Sequence, residues 1–165
     1  MSAAEVLRRL RFFLLVLSSL LFAGTLLELS LVNHTEDAIQ WLAFVIAGIG
    51  LLVTLAVQVR RMQVTISLLR WSMLLVIVGS LFGIYEHVSN NLAFEREIQP
   101  NSTWSHLIWK GLSGANPLLA PGTLAVAALL SLAATYKHSI TVESEKPQSK
   151  RSERQRSTGA SASNS

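Results

Sequence analysis

The sequence predicts an all-α protein: a four-transmembrane-helix bundle, N-in/C-in, with a long outer loop and a disordered C-terminal tail. Three features predict it. Half of the 165 residues are hydrophobic and only 15% are charged, where a soluble domain carries about 25% charged residues. The apolar residues are gathered into four runs of 19–21 residues, and about 20 helical residues cross a hydrocarbon core roughly 30 Å thick. The Lys and Arg residues then fall almost entirely on one side of the resulting topology.

The first run, 12–32 (FFLLVLSSLLFAGTLLELSLV), carries one charge, Glu28, near its end. Arg8, Arg9 and Arg11 precede it as in a signal peptide. Its apolar stretch is longer than the ~7–15 residues of such a segment, and it lacks an A-x-A cleavage site, so it is expected to remain as an anchor. The runs 41–59 (WLAFVIAGIGLLVTLAVQV) and 118–136 (LLAPGTLAVAALLSLAATY) carry no charge, and 66–85 (ISLLRWSMLLVIVGSLFGIY) has Arg70 close to its start. In all four, apolar side chains occupy every face of a helix rather than one stripe. A bundle this small has too little interior to bury such helices away from lipid.

Charge fixes the expected orientation. Twelve of the 14 Lys and Arg residues lie in the N-terminal segment, the margin of the second connection and the tail; only Arg96 and Lys110 lie on the other side. Both termini are therefore expected in the cytoplasm, with the connections 33–40 and 86–117 outside. Trp41, Tyr85 and Tyr136 at run ends, and Trp71 within two turns of one, fit interfacial anchors. The net charge of +4 thus records orientation, and no nucleic-acid partner is expected.

Helices in lipid associate through small residues and hydrogen bonds, because lipid tails are as apolar as Leu. The third run offers Gly79 and Gly83 as a GxxxG. The fourth offers Thr123, Ala127, Ser131 and Thr135 at intervals of four. The second has Ala43, Ala47 and Gly50. With three other helices in the chain, the glycine pair is expected to pack within the monomer. Pro121 falls in the first turn of the fourth run, where a missing N–H is harmless.

The outer loop, 86–117, is too long for a minimal connection. Trp104, Leu107, Ile108 and Leu112 recur at helical spacing, which predicts a short helix over 103–112 lying on the outer membrane surface. A helical continuation over 86–98, ahead of Pro100, is also compatible with the pattern. The segment 139–165 holds eight Ser and the basic cluster Lys150, Arg151, Arg154 and Arg156. It reads as a solvated cytoplasmic tail separate from the 1–138 membrane domain.

Glu28 is the only acid inside a run. It shares a helical face with Leu21, Gly24 and Thr25, and Glu86 follows Gly79 and Gly83 on one face of the third. Both fall near the outer boundary. If they meet, two carboxylates at one site suit proton relay or cation holding; if each simply reaches headgroup water, they are ordinary boundary residues. His34, His87 and His106 lie on the same side with Glu36, Asp37 and Glu86, but at no metal-ligand spacing. No mid-run His suits haem, and no hydrolase or phosphate-loop motif occurs. The chain has no Cys, which excludes disulfides, thiol redox chemistry, Cys-ligated metals and four-span thiol oxidases. Asn33-His34-Thr35 and Asn101-Ser102-Thr103 match the glycosylation sequon, which has meaning only in a eukaryotic secretory host. No catalytic residue, cofactor or metal is expected.

Gly83-Ile84-Tyr85-Glu86-His87, Leu119-Ala120-Pro121-Gly122 and Ala133-Ala134-Thr135-Tyr136-Lys137-His138 resemble short motifs of a group of small, uncharacterised bacterial four-span inner-membrane proteins. The resemblance implies a bacterial plasma-membrane location and no named activity. It marks Glu86, His87, Pro121 and Gly122 as positions to mutate first. The expected role is that of a non-enzymatic accessory or assembly protein, embedded in the bilayer and contacting a membrane-protein partner or another copy. A small oligomeric ion- or proton-coupled transporter using Glu28 and Glu86 is the alternative, and a membrane enzyme with an outer metal site a third.

Overall fold

The computed structural model describes residues 1–32, 38–114 and 118–136. The expected disordered tail, the Asn33 sequon and His34, Glu36 and Asp37 lie outside the described residues. Five α-helices and no strand occur among the described residues: α1 (Ala3–Leu31), α2 (Ala38–Val59), α3 (Gln63–Ile98), α4 (Trp104–Ser113) and α5 (Leu119–Ala134).

Three of these helices, α1, α2 and α3, are long and apolar enough to cross a membrane, and α5 is a shorter apolar helix. Only 33%, 28% and 28% of the three apolar windows is buried inside the chain. The remaining apolar surface therefore faces outward on every long helix and requires an apolar solvent. Trp41, Trp71, Tyr85 and Tyr136 are all exposed, as expected of anchors facing lipid headgroups.

Helix ends differ from the apolar runs for identifiable reasons. α1 starts nine residues before its run because Ser2 and Glu5 close a capping box: the Glu5 N–H donates to Ser2 Oγ and the Ser2 N–H to Glu5 Oε2. α3 begins where the Met62 N–H donates to Thr65 Oγ1, then continues well past residue 85 to 36 residues, about 54 Å. α5 is shorter than its run: 16 residues, about 24 Å. Its last carbonyls are taken from outside, Thr135 O by Arg70 of α3 and Tyr136 O by Arg11 of α1. Two guanidinium donors at a helix C-terminus satisfy orphan carbonyls and the helix dipole together.

The four apolar helices form a ring in which each is antiparallel to its neighbours. α1 lies on α2 and α5, α3 lies on α2 and α5, and α2 meets α5 only lightly across the diagonal. The pairings Ser18 with Ala127, Gln58 with Leu15, and Arg70 with Thr135 fix the directions. One end therefore gathers Arg11, Arg60, Arg61 and Arg70; the other gathers Glu28, Glu86 and the start of α5. The core between them includes Phe22, Leu69, Met73, Val76, Leu124 and Ala127.

Candidate functional site

The basic half of the bundle is closed by a knot of hydroxyls. Ser18 Oγ hydrogen-bonds Ala127 O at 2.7 Å and Ser131 Oγ at 2.6 Å, and Thr54 Oγ1 donates to Gly50 O at 2.7 Å. Gln58 Nε2 donates to Ser19 Oγ at 2.7 Å. Each polar group thus finds a partner inside an apolar ring, as burial in hydrocarbon demands. Ala127 and Ser131 of the small-residue stripe are fully buried, and Thr123 is half-buried. Above the knot, Phe22 of α1 lies over Gly50 of α2, where a Cβ would come within 2.5 Å of its ring.

The opposite half encloses a cavity of about 270 Å³ between α1, α2, α3 and α5. Its formation follows from the sequence of α3. Gly79 lets Ile46 of α2 close against the α3 backbone, and Gly83 receives Pro121 of α5, 3.3 Å from where a Cβ would stand. The GxxxG is therefore occupied by two helices of its own chain. One and two turns beyond Gly79 the same helix carries Gly83 and then Glu86 and His87. Glu28 projects from α1 next to buried Thr25 and Leu29. Glu28, Glu86 and His87, all half-buried, line this one cavity together with Ser80. Both acids singled out in the sequence thus border the same cavity.

The floor of the cavity is Leu29, Ile46 and Leu124, all buried. Beyond it stand Phe22, Ala47 and Val76, each no more than 1% exposed. The arrangement is a pocket at one end of a packed bundle and not a passage along it.

The cavity sits at the foot of a helical hairpin. α3 continues past Glu86, and α4 folds back antiparallel along the continuation. Asn91 Nδ2 donates to Gly111 O at 3.1 Å, and His106 Nε2 meets Glu95 Oε1 at 2.9 Å. The Arg96 guanidinium lies 5.5 Å from the Trp104 ring centroid, within cation–π reach. Gly111 brings the helices close: a Cβ there would stand 3.1 Å from Leu92. The short helix expected over 103–112 is present as α4, and of the stripe Trp104, Leu107, Ile108 and Leu112 only Leu107 is buried. α4 turns Leu107 and Gly111 onto α3 and leaves Trp104, Ile108, Trp109 and Leu112 exposed.

Of the outer His and acid residues, His34, Glu36 and Asp37 lie outside the described residues, and the others do not all gather at one place. His87 lines the cavity, whereas His106 pairs with Glu95, two turns and about 12 Å further along α3. No group of three His, Cys, Asp or Glu able to hold a metal occurs among the described residues. The residues that sequence reasoning missed are those whose partners are remote in the chain. Arg11, Arg70, Gln58 and Asn91 each carry a helix-to-helix hydrogen bond. The adjacent polar pair Ser18-Ser19 in an apolar run was the available signal for the knot. No family model, curated protein or solved structure matches the chain.

Proposed function

We propose that this chain is a four-span protein of a bacterial plasma membrane, with both termini cytoplasmic, that serves as a non-enzymatic accessory or assembly protein. α5 is the fourth span, completed at its short end by the Arg11 and Arg70 guanidiniums. The positive-inside rule supports the orientation, since the start of α1 and the end of α5 lie at the arginine-rich end of the ring. The motif resemblance in α3 and α5 supports a bacterial source.

The observation that carries the role is the α3–α4 hairpin. It is braced by Asn91, Glu95 and His106, and it holds Trp104, Ile108, Trp109 and Leu112 in the open on one flank of α4. Exposed aromatic and aliphatic residues on a braced element mark a docking surface for another membrane protein or a second copy.

The test places a photo-crosslinking residue at Ile108 or Trp109 in native membranes. A discrete protein adduct is expected, lost when Gly111→Leu pushes α4 off α3 and absent when the same probe replaces lipid-facing Val78. Adducts to lipid alone at all positions overturn the docking role. The chain has no Cys, so single substitutions Ser2→Cys and Ser102→Cys report topology directly: only the second should react with an impermeant thiol reagent in intact spheroplasts.

A transporter reading has one specific support, the shared placement of Glu28 and Glu86. It predicts a proton or cation flux in proteoliposomes that Glu28→Gln or Glu86→Gln abolishes. The packed core beneath the cavity favours the accessory role instead.

A further inference from the structure

The cavity has two chemistries that a single occupant must satisfy at once. Its floor is buried aliphatic surface, while Glu28 of α1 and Glu86 and His87 of α3, helices that face each other across the ring, also line it. A hydrated metal ion would answer the carboxylates but leave the floor facing water. A hydrocarbon would cover the floor but strip water from two acids without compensation. A cationic hydrogen-bond donor joined to an apolar body answers both. The exposed rim residues Val32, Leu42 and Phe82 are also apolar, so the mouth admits a molecule that already resides in an apolar phase.

We infer that this cavity binds a single-chain amphiphile with an ammonium head, taken from the bilayer. The head lies between Glu28 and Glu86, and the chain lies over Leu29, Ile46 and Leu124. A primary ammonium has three N–H donors and no acceptor, which matches two carboxylates that accept and gives charge-assisted hydrogen bonds to each. The size agrees. A cavity of about 270 Å³ falls just below the ~300–1,000 Å³ of most small-molecule sites, enough for one head and one short chain but not for a diacyl lipid. The site depends on the membrane location of the helices and is independent of the docking role of the hairpin.

The test uses the full chain in phosphatidylcholine nanodiscs, with decylammonium as probe and decanol and decanoate as controls, read by thermal unfolding. Decylammonium should raise Tm saturably by about 5 °C at large excess over its Kd, and neither control should do so. The shift should vanish in Glu28→Gln/Glu86→Gln. It should also vanish in Ala43→Phe, which keeps both acids and fills the cavity. An equal shift with decanol, or a shift retained in either variant, overturns the site. Should the double Gln variant fail to fold, Ala43→Phe decides the matter alone.

Discussion

The two halves of this bundle are made from the same kinds of residue and reach opposite results. At the basic end, Ser18, Thr54, Ser131 and Gln58 point at one another or at backbone carbonyls, and Phe22 fills the space over Gly50. At the acidic end, small residues again bring helices together, with Gly79 against Ile46 and Gly83 against Pro121. There the polar side chains are longer and charged, and the helices enclose a cavity instead of closing on it. Short hydroxyls return their hydrogen bonds to the helix and let neighbours pack. Ionised carboxylates have no hydrogen to donate to a helix carbonyl. The first half is packed and hydrogen-bonded, and the second leaves a cavity between its helices.

Mutations can break or sharpen that contrast. Removing Phe22, which is fully buried, should have the largest effect: Phe22→Ala loses about 3–5 kcal/mol in reversible unfolding from mixed micelles. Leu42→Ala on the cavity rim should lose well under ~1 kcal/mol, as at a solvent-facing position. Equal losses at the two sites would abolish the distinction between the halves.

Overpacking comes next. Gly79→Leu must displace Ile46 and should lose about 1–3 kcal/mol. By contrast, Gly48→Ala meets no neighbour within 4 Å and should gain up to ~1 kcal/mol from helix propensity. The same unfolding assay reads both, and a tolerated Gly79→Leu would mean that α2 and α3 separate more easily than their packing implies.

A smaller effect is expected in the knot. Ser131→Ala removes the hydroxyl shared with Ser18 and should lose ~0.6–1.7 kcal/mol. Glu28→Gln at the cavity should leave Tm nearly unchanged, because the position is only half-buried and the exchange keeps its shape. A loss at Glu28 larger than at Ser131 would make the acid a structural residue.

Smallest of all for the bundle is Glu95→Ala on the hairpin. The His106 partner is 40% exposed in its side chain, so global stability should fall by less than ~1 kcal/mol. Hydrogen exchange within α4 should nonetheless accelerate selectively, since Asn91, Arg96 and Leu107 would be left to hold it. Uniform acceleration across all five helices would show that the hairpin and bundle unfold as one.

Much of this arrangement was legible in the sequence, and the illegible part has a common cause. The apolar runs marked the cores of α1, α2, α3 and α5 because burial in lipid leaves composition on every face. Glu28 and Glu86 were legible as a pair because each follows small residues along one helical face. Helix ends were less so. The capping box of Ser2 and Glu5 was local and readable, yet a hydropathy criterion passes over it. The helical continuation over 86–98 was compatible with the pattern and is present as the end of α3, with α4 packed on it. The close of α5 depends on Arg11 and Arg70, which are 125 and 65 residues from the carbonyls they hold. Periodicity describes what an element does with its surroundings, not which remote side chain will meet it. For that reason the stripe Trp104–Leu107–Ile108–Leu112 was seen, but not that α4 would divide it.

The short length of α5 bears on how the chain is made. On the proposed four-span reading, α5, with 16 helical residues, falls short of the roughly 20 that cross a hydrocarbon core on their own. It also emerges last from the ribosome of the four apolar segments. Its entry into the bilayer is therefore best driven by helices already there, with α1 and α3 offering a groove and the two arginines waiting at its far end. On that reading biogenesis becomes ordered: three helices inserted by hydrophobicity, the fourth recruited by fit. Arg70→Leu should accordingly appear first as a defect in co-translational insertion of α5, detectable by glycosylation mapping in microsomes, before it is visible in the finished protein.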